Sequence, residues 1–133
     1  MPDDRALLHA TALGASLSVD DLHRSVAWYR DVVGFAVDRE HEREGALMAV
    51  SLRAGDVQIL LTRDDGARGA GRQKGEGLSL QLTTGRDTID EVAARIKDAG
   101  GDLETEPTDT PWGVRVARFR DPDGFKLVLS SAA

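Results

Sequence analysis

Three histidines are the side chains best suited to bind a metal or move a proton in this chain, and the sequence separates them. His9 lies five residues before Gly14, near the start of the first predicted strand, and His23 lies in the first turn of a predicted helix. His41 belongs to the charged stretch 41–44, whose spacing suits a weak surface metal but is more typical of a solvated hairpin. No Ser–His–Asp triad or pair of catalytic carboxylates can be assigned. The chain has no cysteine, which excludes disulfides and thiolate chemistry.

Trp112 and Arg115 are the best candidates for contact with a small molecule. Trp112 lies in a loop between Pro111 and Gly113, ahead of a predicted strand, and aromatic faces bind planar or cationic ligands. A role in closing the core or in a dimer contact is an equally good interpretation of this tryptophan. Arg115 could pair with an anionic ligand group, and a surface ion pair is its alternative.

An internal repeat must position these residues. Residues 55–62 resemble residues 123–130, and each segment closes the same order of elements: strand, helix, strand, strand, strand. We therefore predict an α+β fold in which two tandem β-α-β-β-β modules, residues 8–62 and 77–131, form one domain over residues 1–133. The curved sheets are expected to surround a trough, with the helices on the outer face.

The boundaries of the predicted elements follow from alternation and from turn residues. The predicted strands cover residues 12–19, 35–40, 46–52 and 57–62 in the first module, and 78–83, 103–106, 114–120 and 125–130 in the second. Asp20 or Asp21 is expected to cap the first helix, and Gly34 to end it. Thr88 and Glu91 are expected to form a capping box for the second helix.

Alternation along the strands predicts which side chains face the trough. The large residues are expected to pack under the helices: Leu13, Leu17, Val19, Leu78, Leu80, Leu82, Leu127 and Leu129. The small or polar residues are expected to face away from them: Gly14, Ser16, Ser18, Gly77, Ser79, Gln81, Lys126, Val128 and Ser130. The candidate ligand-binding residues of this face are Ser16, Gln58, Leu60, Ser79, Gln81, Lys126 and Val128. The alternative is a plain solvated sheet face, which usually carries more long charged residues.

Residues 63–76 contain several glycines and no large apolar residue, and we interpret them as the linker between the modules. Its charged residues include Asp64, Asp65, Arg72 and Lys74. These groups could overhang the mouth of the trough, but solvated loop charge is the favoured interpretation.

The amino-acid composition excludes some classes of function. The chain has 133 residues, ordinary hydrophobic and charged fractions of 41% and 30%, and a net charge of −6. A negative chain is a poor partner for nucleic acid, because phosphate binding needs a basic face. No apolar run approaches the roughly 20 residues that a membrane helix needs. Residues 1–5 lack the features of a signal peptide, so a cytoplasmic location is expected.

Several motifs then give the chain a family resemblance. Residues 19–22 with Ser25, residues 28–31 and residues 34–35 resemble the first module of the vicinal oxygen chelate superfamily. Residues 111–113, Phe119 and residues 121–124 resemble its closing hairpin. The superfamily includes glyoxalase I, extradiol dioxygenases, fosfomycin-resistance enzymes and bleomycin-resistance proteins, and the resemblance covers about residues 8–131.

The resemblance implies four metal-ligand positions, normally His, Gln or Glu. They fall on Gly14, Leu60, Gly77 and Val128 of this chain, none of which offers a side-chain N, O or S donor. The chain is therefore expected to bind no metal or other cofactor.

A metal-free binding protein for a drug or metabolite, similar to the bleomycin-resistance proteins, is the leading hypothesis. The resemblance implies a homodimer in which each trough draws on both subunits, and the ligand is expected to be planar or aromatic. The alternative is a lyase, isomerase or dioxygenase-type enzyme with a non-standard active site. An interaction module with no ligand is a third class.

Overall fold

The computed structural model describes residues 7–67, 69 and 74–132 of the chain. The linker charge of Arg72 lies outside the described residues, whereas Asp64, Asp65 and Lys74 lie within them.

The first module begins with strand β1 (Ala15–Val19). Helix α1 (Leu22–Trp28) continues into a π-helical turn (Tyr29–Val33), and strands β2 (Ala36–Arg43), β3 (Ala46–Ala54) and β4 (Val57–Arg63) follow. The strands form one sheet in the order β1-β4-β3-β2. β1 pairs in parallel with β4, and the other neighbours are antiparallel.

The second module repeats this arrangement. It consists of β5 (Ser79–Thr83), α2 (Arg86–Asp98), β6 (Leu103–Asp109), β7 (Arg115–Arg120) and β8 (Lys126–Ser130). Its sheet has the order β5-β8-β7-β6, with β5 and β8 parallel. The predicted α+β fold with two repeated modules is confirmed.

Each helix packs against the sheet of its own module, α1 against β3 and β4, and α2 against β6, β7 and β8. Leu17, Val19, Leu127 and Leu129 are buried in this core as predicted, because they alternate toward the helices. The two modules join where α2 meets the π-helical turn. Trp28 adds to the junction, since its ring lies 6.0 Å from that of Phe119 on β7.

Two predicted features of the packing are wrong. Leu13 is 98% exposed and Leu78 is 55% exposed, because β1 begins at Ala15 and β5 at Ser79, so both leucines precede their strands. The predicted capping box is also wrong. Helix α2 begins at Arg86 with Gly85 as its N-cap, so Thr88 lies inside the helix and makes no capping hydrogen bond.

Of the two predicted caps of the first helix, Asp20 and Asp21, the structure has Asp21. The Asp21 side chain accepts a hydrogen bond of 3.1 Å from the backbone N–H of Arg24, which satisfies one of the free amides of the first turn. The helix ends at Gly34, whose φ of 107° is readily adopted by glycine. In the described part of the chain, neither helix has the length and apolar composition needed to cross a bilayer.

Candidate functional site

The face of each sheet opposite its helix is the candidate site, and we call it the trough face. In the first sheet the register places Ser16 beside Leu60 and Leu60 beside Ser51. Gln58 lies two residues from Leu60 on the same strand and therefore on the same face. The side-chain oxygen of Gln58 accepts a hydrogen bond of 3.2 Å from the Arg53 guanidinium. The same face also carries Arg53, which pairs with Gln58, and Arg39, which pairs with Ser51.

The trough face of the second sheet carries three cations, Arg118, Arg120 and Lys126. Gln81 pairs with Val128, which pairs with Arg118. The next row on the same face is Ser79, Lys126 and Arg120. The sequence prediction identified Ser79, Gln81, Lys126 and Val128 here but omitted Arg118. The alternation of buried Ala117 and Phe119 with Arg118 could have identified it.

Three cavities run along these surfaces. A cavity of about 640 Å³ in the first module is lined by Gly14, Ser51, Gln58 and Leu60, among others. His41 also lines it; this residue is exposed, and it lies within β2 rather than in the predicted hairpin. A second cavity of about 510 Å³ lies where β1 and β5 approach, and it shares Gly14 and Gln58 with the first.

The third cavity, of about 250 Å³, lies on the second sheet. Its lining includes Arg118, Lys126 and Val128, and it shares Ser79 and Gln81 with the second cavity. The shared residues make the three cavities a continuous surface that crosses both modules. Every trough-face residue predicted from the sequence to bind a ligand lines at least one of them.

Trp112 and Arg115 lie elsewhere. Trp112 is 72% exposed in the turn between β6 and β7, and it does not line any of these three cavities. Arg115 shares the helix-side face of β7 with Ala117 and Phe119. Its guanidinium donates to Asp90 of α2 at 2.8 Å and to Asp109 at 3.1 Å. The ion pair that the sequence left open for Arg115 is therefore present.

The four positions that the family resemblance predicts as metal-ligand positions offer no side-chain donor for a metal ion. Leu60 and Val128 are apolar, and Gly14 and Gly77 have no side chain. The backbone at Gly77 also disfavours a ligating side chain, because its φ of 77° is strained for any residue with a Cβ. Within residues 7–67, 69 and 74–132, no group of three or more His, Asp or Glu could hold a metal ion.

Lys74 departs most from the sequence prediction. Solvated loop charge was favoured, but Lys74 is only 4% exposed. Its Nζ donates to Asp20 Oδ1 at 2.8 Å and to the Ser18 carbonyl at 3.0 Å, and it lies 2.9 Å from Asp64 Oδ2 and 3.5 Å from Asp123 Oδ1. Burial opposes the charged form, but the carboxylates outweigh it and raise the pKa of Lys74. We call Lys74, Asp20, Asp64 and Asp123 the lysine cluster.

The lysine cluster continues into a second buried contact between the modules. Asp123 Oδ1 accepts from the backbone N–H of Asp20 at 2.9 Å, and Tyr29 Oη donates to Asp121 Oδ2 at 2.7 Å. Burial raises the pKa of the Asp121 carboxyl, although its hydrogen bonds from Tyr29 and from the Phe125 and Asp123 amides oppose that shift. Burial also raises the pKa of the Tyr29 hydroxyl. The turn at residues 121–124 thus joins the second module to α1.

A family model agrees with this fold. The model described as Glyoxalase/Bleomycin resistance protein/Dioxygenase superfamily matches residues 6–129. Among curated proteins, the uncharacterized protein YraH of Bacillus subtilis is 34% identical over 115 residues, which is 80% of this chain and 87% of YraH. Lactoylglutathione lyase of Salmonella typhimurium is 28% identical over 126 residues, 90% of this chain and 91% of the lyase.

Solved structures have the same fold. TioX from Micromonospora sp. ML1 superimposes with a TM-score of 0.75 at 22% identity, over 93% of this chain and 100% of TioX. At that identity the likeness shows the fold alone.

Proposed function

The chain belongs to the Glyoxalase/Bleomycin resistance protein/Dioxygenase superfamily, and we propose that it is a metal-free binding protein for a small molecule, held on the trough face. The proposal rests on two features of the structure taken together. The cavities form a continuous series along the trough face. The expected metal-ligand positions carry residues without a donor side chain: Gly14, Leu60, Gly77 and Val128. Apolar walls with sparse polar groups are typical of ligand sites.

The second candidate is a lyase, isomerase or dioxygenase-type enzyme of the same superfamily. The observation in its favour is the similarity to the lactoylglutathione lyase of Salmonella typhimurium. The candidate requires a chemistry that does not use side chains at the four usual ligand positions.

The first prediction concerns metal and binding together. Protein purified without chelator is expected to contain far less than one Ni, Zn, Fe or Mn per chain by mass spectrometry. N-phenyl-1-naphthylamine, a planar neutral fluorophore, is expected to bind with an affinity that EDTA leaves unchanged. Gln81→Trp is expected to block the probe, because Gln81 is exposed on the trough face and lines two of the cavities.

Glu91→Trp on the exposed side of α2 is the matched control and is expected to bind normally. Trp112→Ala is expected to leave probe binding unchanged, because Trp112 does not line any of the three cavities. One firmly held metal per chain, or equal binding by the Gln81→Trp variant, would contradict the proposal.

The second prediction is a homodimer. Leu7 and Leu8 are 98% and 82% exposed, and β1 and β5 are free edges of their sheets, so apolar surface and strand edges are both available to a partner. Light scattering at micromolar concentration is expected to give twice the chain mass of 14.3 kDa.

Leu7→Asp/Leu8→Asp is expected to reduce that mass to one chain, because it would place carboxylates in the apolar contact. Met48→Asp on β3, an inner strand of its sheet, is the control and should leave the dimer intact. A mass of one chain for the unmodified protein would contradict the prediction.

A further inference from the structure

The trough face of the second sheet carries two cations, Arg118 and Lys126, that line one cavity. Neither Arg118 nor Lys126 makes an ion pair or side-chain hydrogen bond with the part of the chain that the structure describes. The acid that lines the same cavity, Glu104, is already paired with Arg120 at 2.5 Å. The cavity therefore has an excess of positive charge in a chain whose net charge is −6.

The strand register brings the two cations together. Arg118 pairs with Val128, and Arg120 pairs with Lys126, so Arg118 and Lys126 are diagonal neighbours across the β7–β8 ladder. Diagonal neighbours on one face lie about 7–8 Å apart at the backbone, within reach of long side chains. Both side chains can therefore point at one group of atoms lying above Val128.

Polar and apolar groups complete this cavity. Gln81 and Ser79 on β5 lie beside Val128 and Lys126 and offer an amide and a hydroxyl. Val128, only 8% exposed, forms the apolar floor. Past Ser79 and Gln81 the surface continues into the larger cavity that Leu13, Leu78 and Leu80 line. A cationic end thus adjoins an apolar one.

We propose that Arg118 and Lys126 bind the anionic group of an amphipathic ligand whose apolar body lies over Val128 and toward β5. The inference rests on the proposed binding function and names the chemical class of its ligand: a carboxylate, phosphate or sulfonate attached to an apolar, planar body. Arg118 would hold two oxygens of such a group with its planar guanidinium, and Lys126 would act as a point charge.

A pair of fluorescent probes separates the charge from the apolar body. 8-Anilino-1-naphthalenesulfonate carries one sulfonate, and N-phenyl-1-naphthylamine has the same aromatic scaffold without it. The anionic probe is expected to bind the unmodified protein at least about tenfold more tightly, and this preference should fall as salt is added. Arg118→Gln and Lys126→Gln are each expected to reduce anionic-probe affinity about tenfold and to leave the neutral probe within about twofold.

The control is Arg24→Gln on the exposed face of α1, which changes the net charge equally but lies away from the trough face. It is expected to preserve the preference for the anion. Equal affinity for the two probes, or equal losses for Arg24→Gln and Arg118→Gln, would overturn the inference while leaving the binding function in place. Failure of both probes to bind would overturn the binding function itself. Circular dichroism of each variant verifies the fold.

Discussion

Lys74→Met is expected to lower the free energy of unfolding by about 3–5 kcal/mol, the usual cost of removing one partner from a buried ion pair. The Nζ of Lys74 lies 2.9 Å from Asp64 Oδ2 and 3.5 Å from Asp123 Oδ1, and the side chains of both aspartates are less than one-tenth exposed. Methionine preserves most of the side-chain volume, so the loss reports the missing charge rather than a cavity. The aspartates would stay buried without their ammonium partner.

Lys97→Met is the matched control. Lys97 on α2 also pairs with a carboxylate, that of Glu106, but both side chains are more than half exposed. Exposed pairs are worth about 0–1 kcal/mol, so this variant should be almost as stable as the unmodified protein. Urea unfolding followed by circular dichroism gives both values, and the midpoint should shift without a change in slope. A loss for Lys74→Met no larger than that for Lys97→Met would contradict the structural role of the cluster.

The lysine cluster is important for the site because of where its members lie. Asp20 follows β1, Asp64 follows β4, and Asp123 lies in the turn before β8. One ammonium group therefore fixes the ends of two strands in the first module and a turn of the second. Since β1, β4 and β8 all contribute trough-face residues, the cluster holds the two halves of the candidate site in register.

Local sequence patterns predicted the fold well. The order of strands and helices, the repeat and the Asp21 cap depend on periodicity and on turn residues within a few positions of one another. The inward positions of Leu17 and Leu129 follow from strict alternation. Strand ends were predicted less well, because they depend on pairing with a strand that is distant in sequence. The pairing of β1 with β4 begins at Ala15 opposite Ile59, so Leu13 lies outside the sheet.

Lys74 could not be predicted from its neighbours in the sequence. A glycine-rich charged segment is typical of solvated loops, and the carboxylates that stabilise Lys74 come from positions 20, 64 and 123. Such contacts depend on the tertiary structure, and local periodicity in the sequence does not predict them. The same holds for Arg115, whose partner Asp90 lies on α2. Its position on the helix side of β7 could have been inferred from alternation with Ala117 and Phe119.

A hydroxyl deletion tests the other buried contact between the modules. Tyr29→Phe is expected to lower the free energy of unfolding by about 1.5–3 kcal/mol at pH 7, the range for a hydrogen bond to a charged group. Tyr29 is fully buried, and its ring makes edge-on contacts with Trp28 and Phe35 that phenylalanine would retain. Only the 2.7 Å hydrogen bond to Asp121 Oδ2 would be lost.

The loss should depend on pH with a definite sign. Burial raises the pKa of Asp121 in the folded protein, so its contribution to stability is greatest below the unfolded value of about 3.9 and is lost as pH rises through the folded pKa. The Tyr29 hydrogen bond opposes that shift, so Tyr29→Phe raises the folded pKa further. The free energy of unfolding that Tyr29→Phe loses should therefore be largest near pH 7 and should shrink as the pH is lowered. Urea unfolding at several pH values measures this loss. In an Asp121→Asn background, where nothing titrates at this position, the deficit should not change with pH. A pH-independent deficit in the unmodified background would mean that the Asp121 carboxyl is not the charged partner that Tyr29 stabilises.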